Sequence, residues 1–463
     1  MCCCMDWKTN KRIKVLFGII WLGVFPLQGQ QADTLLNRYI NIGLQNNLAL
    51  QQKNADYKKS LKALDEARSW FFPALSFNAR YSLAEGGRTI EFPVGDMLNP
   101  VYNTLNYLTN THLFPNIENQ TFNFLRPHEH ETKVELVQPL FNPDILYNYK
   151  IRKELTGYWE ANRNAYRRAL ISDIKKAYYT YLKMVRIDEL VKSTRTLLEA
   201  NVRLNEKLFR NQKITIDVVY RSRSELSRFE QNAAEAGKNL QAAKAYFNFL
   251  LNRPLNRDII VPDTLSVVAV IPDREQDKQL ALRKREEINQ LDYGLRSADY
   301  QIKLQKNDRL PVVFAAVDYG FQGEKYIFDK THDFTLASFV LRWDLFQGMQ
   351  KKAKISESRI EKDKLEARKT ELKQQICLQV DNAWNGLIAA QKAMKAADEE
   401  EKAANKAFRV MSKKYEQGMA NYLEFLDSRT NMTEAKLRKI IARYDYLIIY
   451  AEYERVTATY LTK

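Results

Sequence analysis

The chain has 463 residues, of which 28% are charged, with only 15 Gly and 12 Pro; that length allows two or three ordinary domains, and the composition suits long helices better than compact globules. A formal charge of +16 points to nucleic acid or an acidic surface when it forms a patch, but here Lys and Arg alternate with Glu and Asp along helical stretches and read as solvated helix face. The interleaving argues against a basic nucleic-acid binder.

Lys8, Lys11, Arg12 and Lys14 precede an apolar run from Val15 to Phe25, then Pro26 and a short polar stretch. This is the layout of a secretory signal, and the run is too short for a permanent membrane helix. Residues 1–29 are expected to be removed, giving a mature start near Gln30. Cys2, Cys3 and Cys4 would leave with that segment. Only Cys377 then remains, inside a helical pattern near its seam, so an intrachain disulfide is excluded by count and the thiol reads as a packed small apolar group. No Cys stands at the end of the apolar run to accept a lipid.

A helical pattern from about Thr34 to Phe71 runs up to Phe72-Pro73, where proline ends it. From there Leu75, Phe77, Ala79, Tyr81 and Leu83 alternate with Ser76, Asn78, Arg80 and Ser82, the period of a strand with one apolar face. Glu85 to Glu129 is rich in Asn, Thr, Phe and Tyr with little period, which predicts a large loop between two strands. Three of the four histidines fall there: His112, His128 and His130. His128-Glu129-His130-Glu131 has metal-ligand chemistry but no third ligand of known position, so a plain polar loop is the preferred reading.

The second strand sets Lys133 and Glu135 against Val134, Leu136 and Leu140. Pro139-Leu140-Phe141-Asn142-Pro143 leads out of it into a long helix over about Ile145 to Phe209, with Ala177, Tyr181, Met184, Val191 and Leu198 on one face. After a break from Asn211 to Thr215 a returning helix begins. Asn252 to Pro272, with three prolines and the run Ile259 to Val261, predicts a linker holding one short strand.

The same order then repeats. A helix from about Arg274 to Asp308 leads to Leu310-Pro311, and Val313, Ala315, Val317, Tyr319 and Phe321 give a strand that Val312 and Phe314 blur. Ala337, Phe339, Leu341, Trp343 and Leu345 oppose Ser338, Arg342 and Asp344 in the fourth. The connection between these two, around Gln322 to Asp333, is short. Asp344-Leu345-Phe346-Gln347-Gly348 leads out into a helix from about Met349 to Gln417. Its seam holds Leu372, Ile376, Val380, Ala383, Leu387, Ala390, Met394, Ala397, Ala404, Phe408, Met411 and Tyr415, a coiled-coil period with many small residues. At 1.5 Å per residue it would be on the order of 100 Å long. A second break, Gly418 to Asn421, precedes another returning helix; Gly and Asn tolerate the left-handed end that such breaks need. The repeats are thus 30–251 and 273–463, joined by 252–272.

No apolar segment after residue 29 reaches the roughly 20 residues of a membrane helix, so membrane insertion would have to use a barrel. Alternating strands also occur in soluble sheets with one solvated face. Here they come as two separated pairs flanked by long helices, with little for a soluble sheet to pack against. No Ser-His-Asp grouping, phosphate-binding Gly loop or Cys pair is present. The chain is therefore read as a non-enzyme without a cofactor.

Helix, strand, strand, longer helix, turn and returning helix, written twice, resembles the TolC family of outer-membrane efflux channels over about Asp33 to Tyr460. Tyr415-Glu416-Gln417-Gly418 followed by Glu424-Phe425-Leu426-Asp427 is similar to the family's Tyr-x-x-Gly turn with its acidic pair. In the first half Leu208, Asn211 and Asp217-Val218-Val219 sit at the same spacing, with Leu for the aromatic and Asn for Gly. The exits Pro139-Leu140-Phe141 and Asp344-Leu345-Phe346 are similar to the family's Pro-Leu-Phe.

The resemblance implies a mainly α fold with a β-barrel contribution: duplicated long coiled-coil helices plus four transmembrane β-strands per subunit. It implies a homotrimer with a 12-stranded barrel in outer-membrane lipid and a periplasmic α-helical tunnel, working with a periplasmic adaptor (membrane fusion) protein and an inner-membrane transporter. It assigns Glu424, Asp427 and Asp217 to the periplasmic aperture, and Gly418, Asn211 and Tyr415 to the helical turns. Ala420 replaces the family's basic residue, so the aperture must be held shut by other contacts. A periplasmic coiled-coil adaptor or scaffold is the alternative, but an adaptor would have one helical hairpin and more strands.

Overall fold

The computed structural model describes residues 30–262 and 269–460. The expected signal segment and part of the 252–272 linker lie outside them. In chain order the elements are α1 (Gln30–Asn46), α2 (Leu48–Ser69), β1 (Ala74–Leu83), β2 (Thr89–Phe92), α3 (Val94–Thr109), β3 (Gln120–Asn123), β4 (His128–Phe141), α4 (Pro143–Arg210) and α5 (Ile216–Leu250). After the linker come α6 (Arg274–Lys284), α7 (Glu286–Asn307), β5 (Val312–Gly323), β6 (Asp333–Arg342), α8 (Gln350–Glu416) and α9 (Tyr422–Thr457). The long helices contain 68 and 67 residues. Among the described residues no helix is long and apolar enough to cross a membrane.

Each of the two shorter helical stretches is broken where one helix was expected. Asn47 leaves helical geometry, and its side chain accepts from Leu50 N at 3.0 Å, capping α2. Arg285 is extended between α6 and α7, its guanidinium held by Glu287 and Gln379. Helical periodicity survives a one-residue break, so the pattern alone did not reveal either joint.

The chain forms two compact units, and each draws on both halves of the sequence. In the unit built from 173–271, 388–451 and α1, a buried trio of Tyr39, Tyr178 and Phe247 has ring centroids 5.2–5.7 Å apart. Tyr39 Oη accepts from Ile260 N at 3.0 Å and Tyr178 Oη donates to Ile260 O at 3.3 Å, so both backbone groups of one linker residue are satisfied by the trio. The fully buried Asn248 amide adds donations to Leu255 O and Arg257 O. The linker is therefore pinned by side chains, and its described part contains no strand.

The other unit, built from 47–172, 272–387 and 452–460, holds all the strands found among the described residues. Ala281, Ile288, Ile376, Val380 and Val456 form an apolar core of its helices. Gly157 permits a close approach there, since a Cβ would sit 2.3 Å from the Tyr293 ring. Arg168 makes two bonds of 2.7 and 2.9 Å to Glu286 and a third to Tyr460 O at 2.8 Å.

The predicted strand pairs belong to one antiparallel sheet, ordered β1-β4-β5-β6, because β4 also pairs with β5. Pro139, expected to end its strand, lies inside β4, where a register shift between Pro139 and Phe141 accommodates the missing donor. β6 ends at Arg342, so Trp343 and Leu345 lie beyond it, and Trp343 Nε1 instead donates to Arg309 O at 2.8 Å.

The expected loop from 85 to 129 is structured. β2 pairs with β3 beyond β1 and β4, and α3 lies between them. Val94, Met97, Leu98, Val101, Leu105 and Leu108 give helical spacing that the surrounding Asn and Thr obscure. Asn99 exchanges both amide bonds with the Ile117 backbone and Asn106 with that of Phe114, substituting for a strand ladder.

Candidate functional site

The sheet sorts its side chains by face. Leu75, Phe77, Tyr81, Val134, Leu136, Val317, Tyr319, Phe339 and Leu341 share one face by register and are exposed in the single chain, Phe77 at 69% and Phe339 at 80%. The other face carries Ser76, Asn78 and Arg80 beside Glu131, Lys133 and Glu135, then Asp318 and, on β6, Ser338 and Arg342. Arg80 bonds Glu131 at 2.9 Å, Lys133 bonds Asp318 at 2.8 Å, and Asn78 donates to Glu135 at 3.1 Å. Gly320 makes room for this ladder: a Cβ there would sit 2.4 Å from Thr132 O.

Aromatic residues cluster at both ends of the apolar face. At one end Tyr81 stacks on Tyr326, and Phe321 meets Phe328 at 5.2 Å. At the other, Phe71, Phe72, Trp343 and Phe346 are exposed. The ten residues of β1 span about 33 Å at 3.3 Å each, enough for the apolar band of about 25 Å in a membrane barrel.

The histidine motif is divided by the same pleat. His128 and His130 point to one face while Glu129 and Glu131 point to the other. His130 is fully buried under Tyr326, with Nε2 2.7 Å from Lys325 O. No cluster of metal-ligand residues occurs among the described residues.

The second part of the site is the pair of helical turns. Both are Schellman ends: Met419 N donates to Lys414 O and Gly418 N to Tyr415 O, while Lys213 N donates to Leu208 O and Gln212 N to Phe209 O. The left-handed residues are Gly418 at φ 74° and Gln212 at φ 56°. The predicted role of Asn211 is thus corrected, since Asn211 is the last helix-like residue and Gln212 bears the strain. Spacing alone had aligned Leu208 with Tyr415, whereas the hydrogen bonds align Phe209.

Asn421 and Glu424 form a capping box: Glu424 N donates to Asn421 Oδ1 at 2.9 Å and Asn421 N to Glu424 Oε2 at 3.0 Å. Asp427 is exposed and accepts from Asn431 at 3.1 Å. Asp217 is the second residue of α5, also exposed, and accepts from the Thr215 hydroxyl and faces Arg221 at 3.7 Å. All three carboxylates therefore stand in the first two turns of their helices, where the macrodipole also favours them.

Tyr415 is buried with Tyr422 and Phe425, and these three pack against Leu204, Leu208, Val218, Phe408 and Leu426 from all four surrounding helices. Tyr415 Oη donates to Asn205 Oδ1 at 2.7 Å, and burial pushes its hydroxyl pKa up to about 12. Arg429 bonds Glu225 at 2.8 Å. The motif reading missed Asn205, Glu225 and Arg429. The available signal was Arg429 in the seam series Tyr422, Phe425, Arg429, Met432, where an apolar residue is the rule.

Residues 278–458 match the family described as outer membrane efflux protein. No curated protein matches the chain. Among solved structures, the Campylobacter jejuni CmeC outer membrane channel aligns with a TM-score of 0.77 at 13% identity, over 97% of this chain and 94% of that one. The outer membrane protein VceC of Vibrio cholerae aligns at 0.74 and 15% identity, over 93% and 97%. The open-state MtrE outer membrane channel of Neisseria gonorrhoeae aligns at 0.74 and 16%, over 91% and 88%. The chain therefore has the fold of these outer-membrane channels, and its residues 278–458 match the outer membrane efflux protein family.

Proposed function

We propose that this chain is one subunit of a homotrimeric duct through which an efflux or type I secretion system discharges its cargo across the outer membrane. The observation that carries the proposal is the sheet. It has four strands, an exposed apolar face, a charged opposite face, and outer strands β1 and β6 bonded on one side only. In lipid an open sheet edge leaves backbone groups unsatisfied, so the strands must close with those of other copies. Three copies of four strands make a barrel of twelve, wide enough for an aqueous lumen.

In this reading Phe77, Phe339 and Trp343 meet lipid, while Arg80, Lys133 and Arg342 line the lumen. The two repeats, 30–251 and 273–463, supply equivalent strand pairs and helical hairpins, and the hairpins form the periplasmic tunnel. Glu424, Asp427 and Asp217 ring its aperture and favour cations. A periplasmic adaptor and an inner-membrane transporter supply the docking and the energy, so the duct is passive and the chain performs no chemistry of its own.

Fractionation tests the assignment. The mature protein is expected in the outer membrane, starting near Gln30, as an oligomer that heating converts to monomer. Recovery as a soluble periplasmic protein would favour the adaptor or scaffold alternative instead.

A further inference from the structure

Helix α3 is sorted in the opposite sense to a helix in water. Its amides face the protein: Asn99 and Asn106 are bonded to the backbone of Ile117 and Phe114, and the Tyr102 ring lies 5.7 Å from that of Phe114. Gly95 lets the two backbones approach, since a Cβ there would sit 2.2 Å from Ile117 O. Asp96 is the only charged residue of the helix, and Asn119 Nδ2 donates to its carboxylate at 3.0 Å.

The other side of the helix is apolar and open. Met97, Val101 and Leu108 recur at helical spacing with Thr104 between them, and all four are exposed. Met97 is 71% exposed, Leu108 72%, and the flanking Tyr107 85%. A surface helix of a soluble protein turns its apolar stripe to its own core and its polar side to solvent. Here the polar side is the one that is tied down.

The β2–β3 ribbon that carries α3 repeats this sorting. Ile90 and Phe122 stand directly opposite each other and Phe92 is two residues from Ile90, so the three share one face, and all are exposed. Thr89, Glu91, Thr121 and Asn123 take the other. An exposed apolar surface that runs over several elements marks an interaction site.

Three features select lipid as the occupant. The first is place. The ribbon starts just past Leu83 and His128, at the end of the apolar sheet face where Tyr81 stacks on Tyr326, and aromatic residues of a membrane barrel mark the level of the interface. Gly86 and Gly87, at φ 77° and 98°, interrupt the ladder between the Ala84–Pro127 and Arg88–Phe124 bonds, so the ribbon need not continue along the strand axis. The second is chemistry: Met97, Val101, Thr104 and Leu108 present no charge, which suits insertion at the headgroup–acyl boundary. The third is length. The 16 residues of α3 make about 24 Å at 1.5 Å per residue, too short and too polar on one side to span a bilayer but long enough to lie along it.

We propose that α3 lies in the headgroup–acyl boundary of the outer leaflet with Met97, Val101 and Leu108 inserted into lipid, giving each subunit a lateral anchor beside its barrel strands. The proposal rests on the channel reading above.

The test uses full-length, heat-sensitive trimers in a Cys377→Ser background, with one environment-sensitive fluorophore attached through Met97→Cys, Val101→Cys, Leu108→Cys, Asn103→Cys or Phe77→Cys. Each is reconstituted in phosphatidylcholine vesicles with and without bromine on the acyl chains, which quenches a fluorophore on contact. Labels at 97, 101 and 108 should lose emission to bromine placed near the headgroups, and the label at Asn103, on the flank away from the stripe, should keep it. The label at Phe77 should lose emission to bromine deeper in the chains. The three stripe positions are exposed and independent, so a label that disturbs assembly at one leaves the other two. Full emission at all three while Phe77 is quenched would overturn the anchor and leave the barrel standing. Efficient disulfide formation between copies through Met97→Cys or Leu108→Cys would also overturn it, since a second copy would then cover the face. Full emission at Phe77 would sink the channel reading and the anchor with it.

Discussion

Arg80 and Glu131 stand directly opposite each other on β1 and β4, with Nη2 and Oε2 2.9 Å apart, and their alternate neighbours Ala79 and Thr132 point to the other face. This pair fixes which way the pleat is sorted. It places Phe77, two residues beyond Ala79, on the face away from the charges.

The sorting predicts an asymmetry between two substitutions on β6. Phe339→Arg puts a charge on the apolar face, at a cost of about 2–4 kcal/mol near mid-bilayer, and should abolish heat-sensitive trimers. Arg342→Gln, on the charged face, should leave them intact. Gel mobility with and without heating reads both, and the reverse ranking would mean that the pleat is inverted.

The two Schellman turns predict opposite responses to glycine. Gln212 occupies a left-handed conformation that costs a non-glycine residue about 1–2 kcal/mol, so Gln212→Gly should be neutral or stabilising, whereas Gly418→Ala should destabilise. Asn211→Gly should bring no such benefit. Thermal denaturation of the three variants would separate the Gln212 register from the one that spacing alone suggests.

Arg168 and Glu286 form a buried pair, with side chains 10% and 12% exposed. Removing one partner leaves a buried charge, so Arg168→Met should cost about 3–5 kcal/mol. The double change Arg168→Met with Glu286→Leu should recover most of that. Denaturant unfolding checks it, and an additive double mutant would show that the two residues do not act as a pair.

Tyr415 gives the hairpin contact a defined alkaline limit. Its hydroxyl pKa is raised from 10.0 to about 12, chiefly by burial, so at intermediate pH the folded protein keeps a proton that the unfolded chain has lost. Stability from this group is complete below pH 10 and falls as pH rises toward 12. Protease cleavage at the turns should increase across that window, and Tyr415→Phe should flatten the increase. An identical profile in both proteins would mean that Tyr415 does not titrate as part of the contact.

Periodicity made much of this fold legible. Leu75 to Leu83 announced β1 through strict alternation, and the seam from Leu372 to Tyr415 announced α8, because both patterns depend on local spacing alone. What stayed hidden depended on partners distant in sequence. The β4–β5 pairing joins residues such as Lys133 and Asp318, which no local pattern connects. Asn47 and Arg285 break helices without disturbing their apolar period, and α3 was masked by the asparagines that tie it to 113–119. At the turns the acidic motif was visible, but the choice between Asn211 and Gln212 needed the backbone. The Asn205, Glu225 and Arg429 cluster carries no motif; only its polar character at seam positions marks it.

The most direct measurement for the central claim is the conductance of purified, heat-sensitive trimers in planar bilayers. The account predicts discrete ion-conducting channels with cation preference, and weaker preference in assembled protein carrying both Glu424→Gln and Asp427→Asn. Trimers that carry no current would contradict the channel itself, and channels whose selectivity is unchanged by the two substitutions would show that these carboxylates only cap and decorate the start of α9.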